Sequence, residues 1–443
     1  MNMKPDYSKL HVWEDYSAEL MTEYNQCIEE GLSIAHYEDV FKAVAKLPRC
    51  EFRVNLGEAI FKMVAEAKTM EGYKYNEPGD LEGIRALRKP HPLSGKVNSE
   101  KLADKIHGAW MGRIAGCYLG KPIEGMRTNE LWPLLKNSGN YPMTRYIKSE
   151  DCEEGYRKDL IKFYEGIKYM PTDDDTNYVV LAQIVIEKYG RNFTSDNMRD
   201  AWLWYQPKDA YCTAERRAFI NFVQGFRAPE SATYMNPYRE WIGAQIRGDY
   251  FGYINPGNPE LAAEMAWRDA RNSHIKNGIY GEMFASAMIA AAAVTDNVKD
   301  VILAGLAEVP ESSRLYEDVM SVITMHEEGK TWEDVTKYIH EKWDEHTAHG
   351  WCHTISNAMI CAMALLYGET DFAKSICLAV QTGFDTDCNG ATVGSVIGMI
   401  LGFDAIGEEW KAPFDDTLET TIFGMNKVKI SECAEKTMQH LEK

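Results

Sequence analysis

The sequence predicts an all-α protein, because helical patterns follow one another along most of its 443 residues and convincing alternating strands are lacking. In segment after segment from residue 101 onward, apolar residues recur with the 3.6-residue period of a helix. Two of these segments also carry a glycine at every fourth position, a spacing that puts the glycines on one helix face. We therefore expect a compact multi-helix domain with short connections.

The sequence of the N-terminal part predicts a helical extension. Residues 18–30, 37–47 and 56–68 have amphipathic or helical periodicity. Two clusters of proline and glycine follow, at 77–80 and 88–95, and these are typical of a linker. We place a domain boundary near residue 97, so that 1–97 form the extension and linker and 98–443 form the main domain. The extension carries no motif that we can tie to chemistry.

The sequence of the main domain contains no fixed-period repeat, so we do not expect a solenoid. It predicts ten helices. They span residues 105–119, 177–189, 259–272, 280–293, 298–307, 316–328, 331–342, 356–367, 371–380 and 390–402.

Composition excludes several classes of protein. The chain has 48 Lys and Arg against 67 Asp and Glu, a net charge of −19, so we expect no nucleic-acid partner and no docking on anionic membranes. The longest apolar stretch, 283–294, is too short to cross a bilayer, and the first residues lack a signal-peptide pattern. Ten cysteines without C-x-x-C spacing favour reduced thiols and a cytoplasmic location.

The first acidic cluster is Asp173-Asp174-Asp175, directly before a buried helical run. Three adjacent carboxylates repel one another, so a divalent ion such as magnesium, manganese or calcium is a natural partner in a folded core. The alternative is an acidic helix N-terminus, where aspartate caps the helix and favours the positive end of its dipole.

The second acidic cluster is Asp385-Thr386-Asp387-Cys388, again before a buried helix. Carboxylates two residues apart in a loop can point at one ion. Together the two clusters would supply about five carboxylates, enough for two metal ions to share. An N-cap is again the alternative.

The glycine spacing predicts that the two clusters meet. Each glycine inside a helix costs up to about 1 kcal/mol relative to alanine, so two strips of glycine indicate close helix packing. The first strip leads to one more carboxylate, Glu124. The strips are Gly108, Gly112, Gly116 and Gly120, and Gly390, Gly394, Gly398 and Gly402.

The order G-x-x-x-G-x-x-x-G-x-P-x-E, then D-D-T, then G-x-D-x-D before a Gly- and Ala-rich helix resembles the ADP-ribosylglycohydrolase family. The resemblance covers about residues 101–425. It implies an all-α fold with a binuclear magnesium or manganese centre. It also implies cleavage of the bond between the ribose anomeric carbon and an acceptor such as arginine or serine.

The resemblance also implies site residues. Glu124 matches the family's early glutamate, and Asp174 and Asp387 are its further candidates for catalysis. Asp173 stands where the family has threonine, although Thr172-Asp173-Asp174 is a competing register. The implied metal ligands are Asp173, Asp174, Asp175, Asp385, Asp387 and Cys388.

Two departures leave the number of ions and the substrate open. Cys388 replaces the usual threonine or serine, and magnesium disfavours a thiol. Cys117 stands where the family has an acid.

Other polar residues are candidates for the substrate cleft. The family has an acidic and histidine patch before an Ala-rich helix, which Asp269 and His274 match, although helix capping and core hydrogen bonding are alternatives. Gly278 is a candidate for presenting its amide to a phosphate, and His353 for the cleft edge.

Three further patterns indicate a binding site less strongly. The segment 346–353 (HTAHGWCH) permits a zinc site. Trp351 and Tyr253 are candidates for stacking on a base or sugar, with core packing as the default. Arg216 and Arg217 can attract a pyrophosphate, but a solvated face is the simpler interpretation.

The sequence thus favours a metal-dependent glycohydrolase acting on ADP-ribosylated protein. Small ribosides, nucleosides or other sugar conjugates are alternative substrates. A relative that binds ADP-ribose without cleaving it is a third hypothesis. The oligomeric state stays open.

Overall fold

The computed structural model describes residues 4–152 and 163–442. These residues form 22 α-helices and one small antiparallel sheet, so the all-α prediction is confirmed. Residues 1–3 and 443, at the outer ends of the two predicted domains, lie outside the described residues.

The N-terminal part contains three helices that correspond to the predicted ones and a fourth inside the predicted linker. The first three surround a small apolar core that includes Leu20, Phe41 and Ile60. The fourth begins at its N-cap Asp80, whose carboxylate accepts a hydrogen bond from the Gly83 amide at 2.8 Å. The four helices are α1 (Leu20–Glu29), α2 (Glu38–Ala45), α3 (Glu51–Ala65) and α4 (Leu81–Ala86).

Buried ion pairs join the N-terminal part to the rest of the chain. The Arg239 guanidinium lies 2.9 Å from the carboxylate of Glu23 and 2.6 Å from that of Glu30. Arg314 pairs with Glu77 at 2.9 Å. Removing one partner from such a pair leaves an uncompensated buried charge, so these contacts hold the extension against the main domain.

The first half of the main domain contains nine helices and begins with the longest helix of the described residues. They are α5 (Ser99–Gly120), α6 (Thr128–Asn137), α7 (Asp174–Tyr189), α8 (Ser195–Tyr205), α9 (Thr213–Val223), α10 (Glu230–Thr233), α11 (Asp249–Tyr253), α12 (Pro259–Ala270) and α13 (Lys276–Ala292).

The second half adds nine helices and the two strands, in which Leu418 is opposite Val428. They are α14 (Val298–Leu306), α15 (Arg314–Glu327), α16 (Trp332–Lys342), α17 (Ala348–Cys352), α18 (Thr354–Gly368), α19 (Phe372–Gln381), α20 (Thr386–Leu401), α21 (Glu408–Lys411), β1 (Thr417–Glu419), β2 (Lys427–Lys429) and α22 (Ile430–His440).

The two glycine strips lie against each other in the centre of the main domain, where α5 and α20 pack antiparallel. A Cβ on Gly112 would overlap the carbonyl oxygen of Gly394, and a Cβ on Gly116 would overlap that of Gly390. The reverse also holds for each pair. Glycine is therefore required for the two backbones to approach this closely.

Within the described ranges, no helix combines the length and the apolar character needed to cross a membrane.

Candidate metal centre

The packing of α5 on α20 brings the end of one helix to the start of the other. The Thr386 hydroxyl donates a hydrogen bond to the Gly120 carbonyl at 3.0 Å, across 266 residues of sequence. Glu124 follows α5 directly and therefore lies beside the second acidic cluster. Carboxylate oxygens of Glu124, Asp385 and Asp387 lie within 4.8 Å of one another.

The first acidic cluster reaches the same place from the start of α7. Asp173 caps this helix, and its carboxylate accepts a hydrogen bond from the Asp175 amide at 2.9 Å. Asp175 points inward and is fully buried. One of its oxygens lies within 4.8 Å of ligand atoms of Asp387 and Cys388. The two clusters therefore meet, as the glycine spacing predicts.

Two basic side chains compensate part of the acidic charge. Arg113 of α5 places its guanidinium 3.0 Å from Asp175 and 2.6 Å from Asp249. The Lys121 ammonium forms an ion pair with Asp173. The sequence analysis missed both residues, although Lys121 stands next to the Pro122 of the predicted motif.

The electrostatics of the cluster call for further positive charge. Burial raises the pKa of Asp174 well above its usual range, and the neighbouring Asp173 and Glu124 add to the effect. Burial likewise raises the pKa of Asp387, with Glu124 and Asp385 contributing. The pKa of Asp385 is raised to about 6, chiefly by burial. The pKa of Asp173, by contrast, is lowered, because the Lys121 ammonium outweighs burial.

The donor atoms fit divalent metal ions. Asp175 Oδ2 and Asp387 Oδ1 are buried and have no hydrogen-bond partner among the described residues, and leaving such atoms unpaired costs free energy. The site contains six carboxylates. Among the ion pairs of the described residues, Lys121 compensates Asp173, and Arg113 is shared between Asp175 and Asp249. Asp174 belongs to none of the three-residue ligand groups, so its role as a ligand stays a prediction.

Four thiols surround the carboxylates. The sequence analysis named Cys117 and Cys388 but did not find Cys212 and Cys352. Cys352 Sγ lies 3.8 Å from Asp385 Oδ2, and the Cys212 thiol donates to Asp174. Cys117 belongs to a ligand group with Asp173 and Asp175, and Cys388 to one with Asp175 and Asp387. The cysteines come from four separate segments, so no local spacing could have indicated that they meet. All ten cysteines of the chain are free thiols.

The predicted cleft residues Asp269, His274 and Gly278 lie in a buried layer. Asp269 pairs with Arg247 at 2.9 Å. His274 is fully buried, and its Nδ1 lies 2.8 Å from the Ser273 hydroxyl. The Gly278 amide donates to the Ile275 carbonyl at 2.9 Å, so it is not available to a phosphate. These contacts match the alternative of core hydrogen bonding.

His353 is also fully buried rather than exposed at an edge, and it caps α18. His349 and His353 place their Nε2 atoms 3.0 and 3.4 Å from the carboxylate of Glu29 in α1. Each Nδ1 accepts a hydrogen bond, from the Trp241 indole at 3.1 Å and the Ile355 amide at 3.2 Å. The neutral rings therefore carry their proton on Nε2 and offer no lone pair to zinc. Glu29, His349 and His353 form a group whose ligand atoms could hold a metal ion, but with this tautomer the partner of both Nε2–H groups is the Glu29 carboxylate.

The remaining candidates divide between core and surface. Tyr253 is fully buried and contacts the Ala109 carbonyl at 3.3 Å, so it belongs to the core and cannot stack on a substrate. Trp351 is partly exposed, with the Arg127 guanidinium 4.9 Å from its ring centre. Arg216 and Arg217 are buried, so the interpretation as a solvated face is wrong. Arg216 donates to the Tyr211 carbonyl at 2.8 Å.

Two comparisons found known proteins to which the chain is similar. The family model described as ADP-ribosylglycohydrolase matches residues 98–440. One solved structure, titled "ADP-ribosylglycohydrolase-related protein complex", is 16% identical, with a TM-score of 0.47, over 77% of this chain and 98% of that chain. No curated protein matches the chain.

An all-α fold whose centre is a buried carboxylate cluster, with the family match over these residues, defines a hydrolase of glycosyl bonds. The chain belongs to the ADP-ribosylglycohydrolase family.

Proposed function

We propose that this protein is a metal-dependent glycohydrolase that cleaves a ribosyl bond in an ADP-ribosylated protein or an ADP-ribose-like conjugate. One observation carries the proposal. Two acidic helix starts, separated by more than 200 residues, present their carboxylates to one another together with Glu124. Divalent ions bound between these helix starts would compensate the negative charge of the buried carboxylates.

The ions we propose are Mg²⁺ or Mn²⁺, two per chain. Asp173, Asp174, Asp175, Asp385, Asp387 and Cys388 are the proposed ligands. When bound, such ions would supply positive charge and orientation for the ribose hydroxyls and for a water molecule.

The exposure of the carboxylates suggests which of them contact the substrate and which hold the metal centre together. Glu124 and Asp174 are partly exposed, whereas Asp175, Asp385 and Asp387 are buried. We assign to Glu124 or Asp174 the contact with the substrate. There, one carboxylate accepts a proton from the attacking water or stabilises the positive charge that develops on the ribose ring. Asp387 holds the centre together from the buried side.

The test is release of free ADP-ribose from arginine-ADP-ribosylated protein, with Mg²⁺ or Mn²⁺ and with a chelator. We expect release that requires the ion and is lost in Glu124→Gln. An equal rate in the chelated enzyme would contradict the proposal.

Small ribosides and nucleosides are the second candidate substrates, favoured by the burial of most of the centre. A parallel assay of sugar release from small N- and O-ribosides separates the two classes. A third possibility is binding without cleavage. Calorimetry that detects ADP-ribose binding in the presence of Mn²⁺, without turnover of any of these substrates, would favour it.

The proposed setting is the cytoplasm, where the ten free thiols would stay reduced. We propose no nucleic-acid or membrane partner, given the net charge of −19.

A further inference from the structure

We propose that the two metal positions of this centre differ in chemistry, and that one of them contains a thiolate. Asp175, Asp387 and Cys388 form a position for a borderline transition ion such as Zn²⁺, Fe²⁺ or Co²⁺. Glu124 and Asp385, with Asp387 shared between the two, form an oxygen-only position for Mg²⁺ or Mn²⁺. The inference rests on the proposed function in that both concern the same centre. It replaces one of the two Mg²⁺ or Mn²⁺ ions proposed above by a borderline ion at the position that contains Cys388.

The ligand atoms of the centre form three overlapping sets by distance, one of which is Cys117 with Asp173 and Asp175. The other two sets define the proposed positions. One set joins Cys388 Sγ to carboxylate oxygens of Asp175 and Asp387, all within 4.8 Å of one another. The other joins Glu124, Asp385 and Asp387 within the same limit. Asp387 is common to the two sets that define the proposed positions, so it would contribute to holding both ions.

Two buried oxygens point to a ligand at the first set independently of the thiol. Asp175 uses Oδ1 for Arg113, while its Oδ2 has no partner among the described residues. Asp387 Oδ1 also has no hydrogen-bond partner among the described residues, and both residues are at least nine-tenths buried. Since a buried carboxylate oxygen without a donor is costly, a cation beside Cys388 accounts for both atoms.

The surroundings of Cys388 differ from those of an ordinary core thiol. Its Sγ is buried among carboxylates of Asp174, Asp175, Asp385 and Asp387. Cys377 of α19 is equally buried but belongs to none of the ligand groups. Sulfur is a soft ligand that suits zinc and iron, whereas magnesium and manganese prefer oxygen. Binding would replace the S–H bond by a metal–sulfur bond, and the proton would leave to solvent.

The experiment loads the metal-free full-length protein with Co²⁺ and records its near-ultraviolet absorption, where thiolate ligation produces a charge-transfer band. We expect the band in the wild type and in the matched control Cys377→Ser, and its loss in Cys388→Ser. Cys388→Thr, which installs the hydroxyl usual in the family, is a second variant in case the serine variant fails to fold. Circular dichroism confirms the fold of each variant.

A second readout is metal content after dialysis against equal concentrations of Mg²⁺, Mn²⁺ and Zn²⁺. We expect the wild type to retain one Zn²⁺ per chain beside a hard ion, and Cys388→Ser to bind Zn²⁺ at least about tenfold more weakly. Bound Co²⁺ without the band, or an unchanged band in both Cys388 variants, overturns the inference.

The two proposals can fail separately. An active glycohydrolase that holds two Mn²⁺ and shows no thiolate band would disprove the thiolate position alone. A Cys388-dependent band in a protein that cleaves no ribosyl substrate would disprove the proposed function alone.

Discussion

Gly116 of α5 and Gly390 of α20 face each other so closely that each carbonyl occupies the space where a Cβ of the other would lie. The contact lies three residues after Asp387 in α20 and eight residues before Glu124, so it brings these two carboxylates together. The metal centre therefore depends on backbone approach as much as on its carboxylates.

We expect Gly116→Ala to destabilise the protein by about 1–3 kcal/mol or more, because the added methyl meets backbone that cannot rotate away. Metal-induced thermal stabilisation should fall with it. Denaturant unfolding with and without Mn²⁺ measures both effects. Gly79→Ala is the matched control, since a Cβ there meets nothing within 4 Å. Equal effects of the two substitutions would contradict the role of the strip.

Asp387→Asn should reduce ribosyl cleavage at least about a hundredfold, because one substitution removes a ligand common to both proposed metal positions. Calorimetric titration with Mn²⁺ should show fewer bound ions per chain. Asp404→Asn, at an exposed aspartate outside the centre, is the control. Normal ion stoichiometry in Asp387→Asn would disprove the shared ligand.

Lys121→Met should destabilise the metal-free protein by about 3 kcal/mol, because it leaves the buried Asp173 carboxylate without its ammonium partner. The double variant Lys121→Met/Asp173→Asn should recover most of that loss. Unfolding in the presence of a chelator gives the four free energies of the cycle. Strictly additive effects would show that the two side chains do not interact.

Arg239→Met should destabilise the whole protein by about 3–5 kcal/mol, because Glu23 and Glu30 lose their shared guanidinium. Calorimetry should still show one transition if the extension and the main domain unfold together. The exposed pair of Lys42 with Glu38 provides the control, and Lys42→Met should cost less than about 1 kcal/mol. Separate melting of residues 1–97 would instead support an autonomous extension.

Glu240 makes the stability depend on acid pH. Burial alone would raise the pKa of Glu240, but Arg314, Lys276 and the Asn277 side chain outweigh it and lower the pKa to about 2. Because the ordinary value is 4.5, this carboxylate contributes stability above about pH 4.5 that is lost as the pH falls towards 2. The contribution is on the order of 3 kcal/mol.

Urea unfolding between pH 5 and pH 3 measures this dependence. Glu240→Gln should show a shallower fall in stability than the wild type over that range. Identical slopes would show that other carboxylates account for the acid sensitivity.

Much of the fold and part of the site could be predicted from the sequence, because the patterns that indicate them lie within single segments of the chain. Periodicity places α5, α13 and α20, and the glycine strips correctly indicate that two distant segments meet. The contributions of Glu29 and Cys212 could not be predicted. Each is an unremarkable residue in its own segment and acquires its neighbours only through tertiary packing.

The same limit explains the error at Arg216, whereas the default interpretation of Tyr253 as a core residue is correct. A pair of arginines in an acidic chain suggests a solvated face, yet the Arg216 guanidinium donates hydrogen bonds to backbone carbonyls inside the fold. Tyr253 has the chemistry of a stacking residue, but its position in α11 puts it in the core.

The antiparallel contact of α5 with α20 also bears on how the chain is synthesised. The two ends that meet at Gly120 and Thr386 are 266 residues apart, so a ribosome adding about 5–20 residues per second makes them roughly 10–50 s apart. Throughout that interval the glycine face of α5 has no partner. A nascent chain that stops before residue 385 therefore lacks Asp385 and Asp387, and the centre cannot assemble until the start of α20 has been made.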